Sequence, residues 1–160
     1  MQITDVKPSD LGNVLRLNDD SVPHVSRIDM AQMEWFASTA HYFRVVRHEQ
    51  QLAGFLIGLR AGLPYASPNY RWFSENYTDF GYVDRVAVSA TARRMGIASR
   101  LYEDFAASLQ GEVDVMTCEV NIRPANESSM RYHRQYGFVQ VGTQQTEGGE
   151  KEVALLEMKL

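Results

Sequence analysis

Residues 83–105, "VDRVAVSATARRMGIASRLYEDF", join an apolar strand to an amphipathic helix through a short turn. The turn carries two arginines, Arg93 and Arg94, followed by Gly96. Apolar side chains then recur at the spacing of one helix face, at Ala98, Leu101, Tyr102, Phe105 and Leu109. We therefore expect this face to pack on a sheet, which places the turn at the N-terminal end of the helix.

The turn is predicted to bind an anion. A helix start leaves about four backbone N–H groups unpaired and carries a partial positive charge of roughly half a unit. Gly96 and Ala98 lack the side chains that would keep an anion away from those groups, and the two arginines add positive charge. The alternative is an ordinary turn with solvated arginines. No G-K-[ST] follows the glycine, which excludes a P-loop, and the glycine pattern of dinucleotide-binding turns is also missing.

The composition predicts a single domain over residues 1–160. The sequence has no repeat, no low-complexity tract and no linker. With 16 lysines and arginines against 20 aspartates and glutamates, its net charge is -4. This balance gives no indication of a nucleic-acid partner or of an anionic membrane surface.

The sequence further predicts a cytoplasmic protein. The longest apolar run, residues 52–59, has eight residues, far fewer than the roughly 20 that span a bilayer. The N-terminal "MQITDVKPSD" lacks the basic segment and apolar run of a secretion signal. Cys118 is the only cysteine, which excludes an internal disulfide and suits a reducing compartment. No metal site is predicted.

Apolar periodicity predicts the order strand, two helices, three strands, helix, strand, helix and two strands. Ser9 and Asp29 are candidate N-caps of the first two helices. The second and third strands are expected to form a hairpin with its turn near Glu49 and Gln50, and segment 61–79 to be the one long irregular loop. This mixture favours an α/β (α+β) sheet with helices on both faces.

Two motifs resemble those of the GNAT superfamily of acyl-CoA-dependent N-acyltransferases. Residues 93–98, "RRMGIA", match the R/Q-x-x-G-x-G/A signature and lie between a predicted strand and a helix, as in that superfamily. Residues 118–138, "CEVNIRPANESSMRYHRQYGF", are similar to its later motif. The order of elements extends the resemblance over nearly the whole chain. The stretches "SPNYRWF", "YVDRVAV" and "TCEVN" also resemble a bacterial subgroup of predicted acetyltransferases, which indicates no substrate.

The resemblance implies a mixed, mostly antiparallel sheet of about seven strands. A V-shaped splay between the two central parallel strands, residues 83–88 and 115–120, would admit the pantetheine arm of acetyl-CoA. The implied contacts to acetyl-CoA or coenzyme A come from both motifs and the strand before the first, at Val86, Ala87, Val88, Arg93, Arg94, Met95, Gly96, Ile97, Ala98, Ser99, Asn121, Asn126, Ser129, Tyr132 and His133.

The implied reaction is direct attack of a neutral amine on the thioester, with the amine belonging to a small molecule, a protein or a peptide. One base and one acid suffice. The family most often uses a tyrosine four residues before the motif glycine, Gly137, but that position holds His133 here, next to Tyr132. His133 and Tyr132 are therefore candidate acids. The alternatives are a helix-surface residue at His133 and a packing role for Tyr132.

Two carboxylates inside otherwise apolar strands, Asp84 and Glu119, are candidate bases, because an unpaired charge there would be costly. The alternative for each is a buried ion pair, for example with Arg85 or Arg123. Which residue is acid and which is base stays open. Cys118 is expected to be a small apolar filler of its strand, and a covalent relay through it has little support.

The resemblance implies that the acceptor is selected by the first helices and by the loop between the third and fourth strands. The candidate residues are Asp19, Tyr70, Trp72 and Phe80. The aromatic side chains would line an acceptor pocket, or alternatively form a hydrophobic plug under a long loop.

Two other functions remain open. The first is a non-catalytic acyl-CoA-binding regulator, suggested by the missing tyrosine at position 133. The second is a protein-interaction module whose apolar loop serves as a docking surface. The chain is expected to be a monomer or a homodimer, since an edge strand near the C-terminus would allow pairing.

Overall fold

The computed structural model describes residues 1–160. It contains seven strands and five α-helices. In chain order these are β1 Gln2–Asp5, α1 Leu11–Asp20, α2 Met30–Thr39, β2 Tyr42–His48, β3 Gln51–Arg60, α3 Pro68–Asn76, β4 Gly81–Val88, α4 Ile97–Leu109, β5 Val115–Arg123, α5 Glu127–Tyr136, β6 Val139–Thr146 and β7 Lys151–Lys159.

All seven strands belong to one sheet in the order β1-β2-β3-β4-β5-β7-β6. The β4–β5 pair is parallel, with Gly81 opposite Met116 and Tyr82 opposite Thr117. The β1–β2, β2–β3, β5–β7 and β6–β7 pairs are antiparallel. This confirms the predicted α/β fold with a mixed, mostly antiparallel seven-stranded sheet. None of the helices is long and apolar enough to span a bilayer.

Segment 61–79 is not the irregular loop that the sequence predicted, because it contains helix α3. The hydroxyl of Ser67 caps this helix by accepting from the N–H group of Tyr70 at 3.3 Å, and Pro68 occupies the first turn. The buried side chains of α3 are Tyr70 and Phe73. These two residues are three apart and lie on one face of the helix, which packs through their rings.

The local signals in the first half of the chain are confirmed in part. The carboxylate of Asp29 caps α2 by accepting from the N–H group of Gln32 at 2.8 Å. The β2–β3 turn lies at Glu49 and Gln50, with φ of 50° and 65°. The cap predicted at Ser9 is wrong: it lies in the 3-10 turn before α1, where Asp10 accepts from the N–H group of Lys7 at 2.8 Å.

The contacts divide the chain into two compact units, each built from two separate stretches. The first unit comprises Met1–Leu59 and Asp84–Ser108, and the second comprises Arg60–Val83 and Leu109–Leu160. The fully buried side chains of the first unit include Val14, Met33, Phe36, Val45 and Phe55. Those of the second include Phe73, Phe80, Tyr82, Met116 and Leu155. The single domain expected from the composition stays a prediction.

Candidate active site

The turn between β4 and α4 belongs to the first unit and has the predicted strand-turn-helix form. After β4 ends at Val88, the N–H group of Ser89 donates to the carbonyl of Ala53 in β3 at 2.8 Å. A 3-10 turn, Ala90–Ala92, follows. Arg94 and Gly96 then adopt φ of 66° and 74°, the left-handed region that favours glycine.

The helix that follows presents unpaired donors. Its first backbone hydrogen bond runs from the N–H group of Arg100 to the carbonyl of Gly96 at 3.1 Å. No group of the protein accepts from the N–H groups of Gly96, Ile97 or Ala98. An anion near these donors would therefore compete with water alone.

The turn is also open and positively charged. Arg93, Arg94, Met95 and Gly96 are exposed. A Cβ built on Gly96 would meet no atom within 4 Å, so a ligand can approach its main chain without displacing other atoms. Two arginines and three unpaired N–H groups together form an arrangement able to bind a diphosphate.

Strand β4 supplies the second predicted part of the cofactor site, at Val86, Ala87 and Val88. Ala87 is buried, whereas Val86 and Val88 are half-buried. Asp84 is half-buried as a residue although its side chain is only 3% exposed. The exposed atoms of Asp84 are therefore main-chain atoms, so the backbone of β4 is accessible to solvent at this residue.

Asp84 forms the buried ion pair that was the alternative to its role as a base. The Nε of Arg85 donates to its Oδ2 at 2.7 Å, and the two side chains are 4% and 3% exposed. The same guanidinium donates to Asn18 Oδ1 and to the carbonyl of Ser26, both at 3.0 Å, and lies over the ring of Phe36. Arg85 thus joins β4 to α1, to α2 and to the segment between these two helices. A catalytic role for Asp84 stays a prediction.

In the second unit, Asn126 and Ser129 form the start of α5. The side-chain oxygen of Asn126 accepts from the N–H group of Ser129 at 3.3 Å, and its own N–H group donates to the carbonyl of Asn121 at 3.0 Å. The Asn126 oxygen therefore caps the helix. Its amide nitrogen can still donate to a ligand carbonyl, so the cofactor contact predicted there stays a prediction.

His133 is buried, so the alternative of a helix-surface residue is wrong: it is 5% exposed. Its Nδ1 lies 2.7 Å from the carbonyl oxygen of Ser129 and its ring packs edge-on against Phe138. Because a carbonyl only accepts, Nδ1 carries the proton and Nε2 of the neutral ring carries a lone pair. Burial lowers the pKa of His133 from its ordinary value, and the hydrogen bond to Ser129 partly opposes this shift.

Glu119 has a partner that the sequence did not indicate. The hydroxyl of Tyr82 donates to its Oε2 at 2.6 Å. The predicted alternative partner Arg123 instead pairs with Glu152 at 3.1 Å. The signal for Tyr82 lies in the register of the parallel strands, since Tyr82 is opposite Thr117, two residues before Glu119. The sequence places both residues in strands, but the register between the two strands does not follow from it.

Two further candidates make packing contacts, and the catalytic and cofactor roles of Tyr132 stay predictions. Tyr132 is half-buried, with its ring 6.0 Å from that of Tyr136. Cys118 is 2% exposed, and burial, together with the nearby Glu119, raises the pKa of its thiol well above the ordinary value. The thiol stays protonated, which agrees with the filler role and opposes a covalent relay.

The aromatic residues predicted to bind the acceptor are mostly packed in the second unit. Tyr70 and Phe80 are 2% and 0% exposed, and their ring centroids are 5.6 Å apart. Trp72 is half-buried and lies against Gly142, where a Cβ would be 2.9 Å from its ring. This is the arrangement of a hydrophobic plug. In the first unit, Asp19 lies 3.5 Å from Arg27. Acceptor binding by these residues stays a prediction.

Comparison with known proteins identifies a related family. The profile of the "Acetyltransferase (GNAT) family" matches residues 13–138. No curated protein sequence matches the chain significantly.

Solved structures share the fold over the whole chain. Ard1 from Thermoplasma volcanium superposes with a TM-score of 0.79 at 18% identity, covering 99% of this chain and 97% of that one. Naa20 of Chaetomium thermophilum, solved with a bisubstrate analogue, gives 0.77 at 17% identity with 100% and 87% covered. The ribosomal-protein-S18-alanine N-acetyltransferase of Escherichia coli gives 0.75 at 12% identity with 99% and 92% covered.

Proposed function

This chain belongs to the acetyltransferase (GNAT) family, and we propose that it transfers an acetyl group from acetyl-CoA to a primary amine of a small molecule, protein or peptide. The observation that carries the proposal is the start of α4. Two exposed arginines and three unpaired N–H groups lie between the 3-10 turn after β4 and the first turn of α4, in a segment with a glycine at φ 74°.

The residues present fit acetyl-CoA as the acyl donor, which supplies a thioester when bound. The N–H groups of Gly96, Ile97 and Ala98 would donate to its diphosphate, with Arg93 and Arg94 adding charge. The exposed main chain at Asp84 supports the proposal that β4 holds the pantetheine arm by backbone hydrogen bonds, as one strand holds another.

His133 is our candidate for the group that takes a proton from the acceptor. An alkylammonium has a pKa of about 10.4, so the amine must lose a proton before its nitrogen can bond to the acyl carbon. The Ser129 carbonyl fixes the Nδ1–H tautomer, which leaves Nε2 able to accept that proton. The attacking nitrogen must lose a further proton as the amide forms, and this proton balances the one that the departing thiolate would need when the carbon–sulfur bond breaks. Tyr132, Asp84 and Glu119 remain candidates for proton transfer.

The buried His133 is expected to make the protein less stable in mild acid. Its pKa in the folded chain is below the ordinary 6.5, so as pH falls the unfolded chain binds a proton first. Stability is therefore complete above about pH 6.5 and decreases below it, by at most about 1.4 kcal/mol per pH unit for one proton.

Urea denaturation at about pH 7 and pH 5 measures this effect. His133→Phe keeps a ring of similar size and removes the titration, so its free energy of unfolding should change less between the two pH values. Equal changes in the wild type and the variant would show that His133 does not titrate differently on folding.

The experiment that tests the proposed function is an acceptor screen with acetyl-CoA. Small primary amines are compared with peptides that have free N-termini, including N-terminal alanine, because the structural neighbour from Escherichia coli is named for ribosomal-protein-S18-alanine. Release of free thiol and the mass of the product are both measured. Acetylated product supports the enzyme. Binding of acetyl-CoA without transfer to any acceptor supports the non-catalytic regulator, and absence of binding overturns both.

A further inference from the structure

Gly54, in the middle of β3, packs against the two ends of the proposed cofactor turn, residues 89–96 between β4 and α4. It is buried, and a Cβ built on it would lie 2.8 Å from Ile97 Cγ2, 3.1 Å from the carbonyl oxygen of Ala87 and 3.6 Å from Val88 Cγ2. These three contacts belong to the two segments that the proposed function assigns to acetyl-CoA. One position on a neighbouring strand therefore touches both the end of β4 and the first residue of α4.

The two nearest atoms, Ile97 Cγ2 and the Ala87 carbonyl oxygen, cannot move aside without a cost in free energy. Ile97 is 1% exposed, and its β-branched side chain has a strongly preferred rotamer in a helix. The carbonyl of Ala87 is part of the backbone of β4. The next residues are also fixed, because the N–H group of Ser89 donates to the Ala53 carbonyl beside Gly54 at 2.8 Å. A methyl group at position 54 must therefore displace the start of α4, the end of β4, or both.

We propose that Gly54 is a positioning residue for acetyl-CoA binding. Because Gly54 has no side chain, Ile97 can pack closely against β3 and hold the start of α4 next to β4. This inference rests on the proposed function. This contact of Ile97 with β3 determines how far the N–H groups of Gly96, Ile97 and Ala98 lie from the main chain of Val86–Val88. Diphosphate and pantetheine are parts of one molecule, so a shift of either segment misaligns the two sets of contacts.

Gly58 provides a matched control on the same strand. It is four residues further along β3 and thus on the same face, and a Cβ built on it would lie 2.5 Å from ring carbons of Phe105, in the third turn of α4. Gly58→Ala therefore overpacks the same strand–helix contact, but away from the helix start. Both variants should lower stability, whereas only Gly54→Ala should affect the cofactor turn.

The test measures the affinity for coenzyme A and acetyl-CoA by titration calorimetry, together with the melting temperature. Gly54→Ala is expected to bind about tenfold more weakly than the wild type, equivalent to about 1.4 kcal/mol. Gly58→Ala should stay within about twofold. In the double variant Gly54→Ala/Ile97→Leu, the Cγ2 atom nearest to the added methyl is gone, so affinity should partly recover.

If Gly54→Ala does not fold, Ile97→Ala is compared with Leu101→Ala. Both truncate buried residues of α4, and the atom nearest to a Cβ at position 54 belongs to Ile97. Ile97→Ala is expected to bind coenzyme A and acetyl-CoA more weakly than the wild type, whereas Leu101→Ala is not. The inference is overturned if folded Gly54→Ala binds with wild-type affinity. It is also overturned if Gly54→Ala and Gly58→Ala, or Ile97→Ala and Leu101→Ala, lose equal affinity. A wild-type protein that binds neither ligand instead overturns the proposed function.

Discussion

Gly96→Glu is expected to abolish the binding of acetyl-CoA. The new carboxylate would lie at the start of α4, among the N–H groups that the diphosphate is proposed to occupy, and it would repel that anion. The loss should reach at least about 100-fold in affinity, or about 2.7 kcal/mol. The rise in melting temperature produced by acetyl-CoA in the wild type should disappear in the variant.

The fold should tolerate this substitution, because a Cβ at Gly96 meets no atom within 4 Å. Its φ of 74° still adds backbone strain, which must be separated from the charge effect. Gly62→Glu is the matched control: φ is 90°, a Cβ again meets nothing within 4 Å, and the same charge is added in the turn after β3.

Gly62→Glu should therefore lose similar stability and keep its acetyl-CoA response. Gly96→Ala, which has the strain without the charge, should bind more tightly than Gly96→Glu. If Gly96→Glu binds as well as Gly62→Glu, the diphosphate is not held at the start of α4.

The parts of this site that the sequence predicted are those set by neighbours along the chain. The turn at Gly96 could be found because strand, glycine and helix stripe follow one another within 23 residues. The cap at Asp29 and the hairpin turn at Glu49 are equally local. Such features depend on backbone conformation and nearest neighbours, which a single sequence records directly.

The parts that were missed depend on packing between distant segments. His133 lies in a helix in which Arg131 and Arg134 are exposed, so its burial follows from how α5 packs and not from the residues beside it. Tyr82 reaches Glu119 because of the β4–β5 register. Gly54 gave no sequence signal, since its importance comes from the approach of Ile97, 43 residues later.

Arg85→Met is expected to lower the free energy of unfolding by about 3–5 kcal/mol. Methionine keeps much of the volume but leaves the carboxylate of Asp84, 3% exposed, without the guanidinium beside it. Asn18 Oδ1 and the carbonyl of Ser26 lose the same donor. Urea denaturation measures the loss, and Arg44→Met is the control. The carboxylates that pair with Arg44, those of Asp104 and Asp5, are 31% and 84% exposed, so its removal should cost no more than about 1 kcal/mol.

The double variant Asp84→Leu/Arg85→Met separates the structural role of Asp84 from the catalytic one. Replacing a buried ion pair by apolar side chains of similar volume is often close to neutral, so most of the stability lost in Arg85→Met should return. If Asp84 is only a structural partner of Arg85, the double variant should transfer acetyl to the amine found in the acceptor screen as the wild type does. If Asp84 is the base, the double variant should be stable and bind acetyl-CoA, yet transfer poorly at a pH where the amine is protonated. A double variant no more stable than Arg85→Met would show that the ion pair is not what makes Arg85 important.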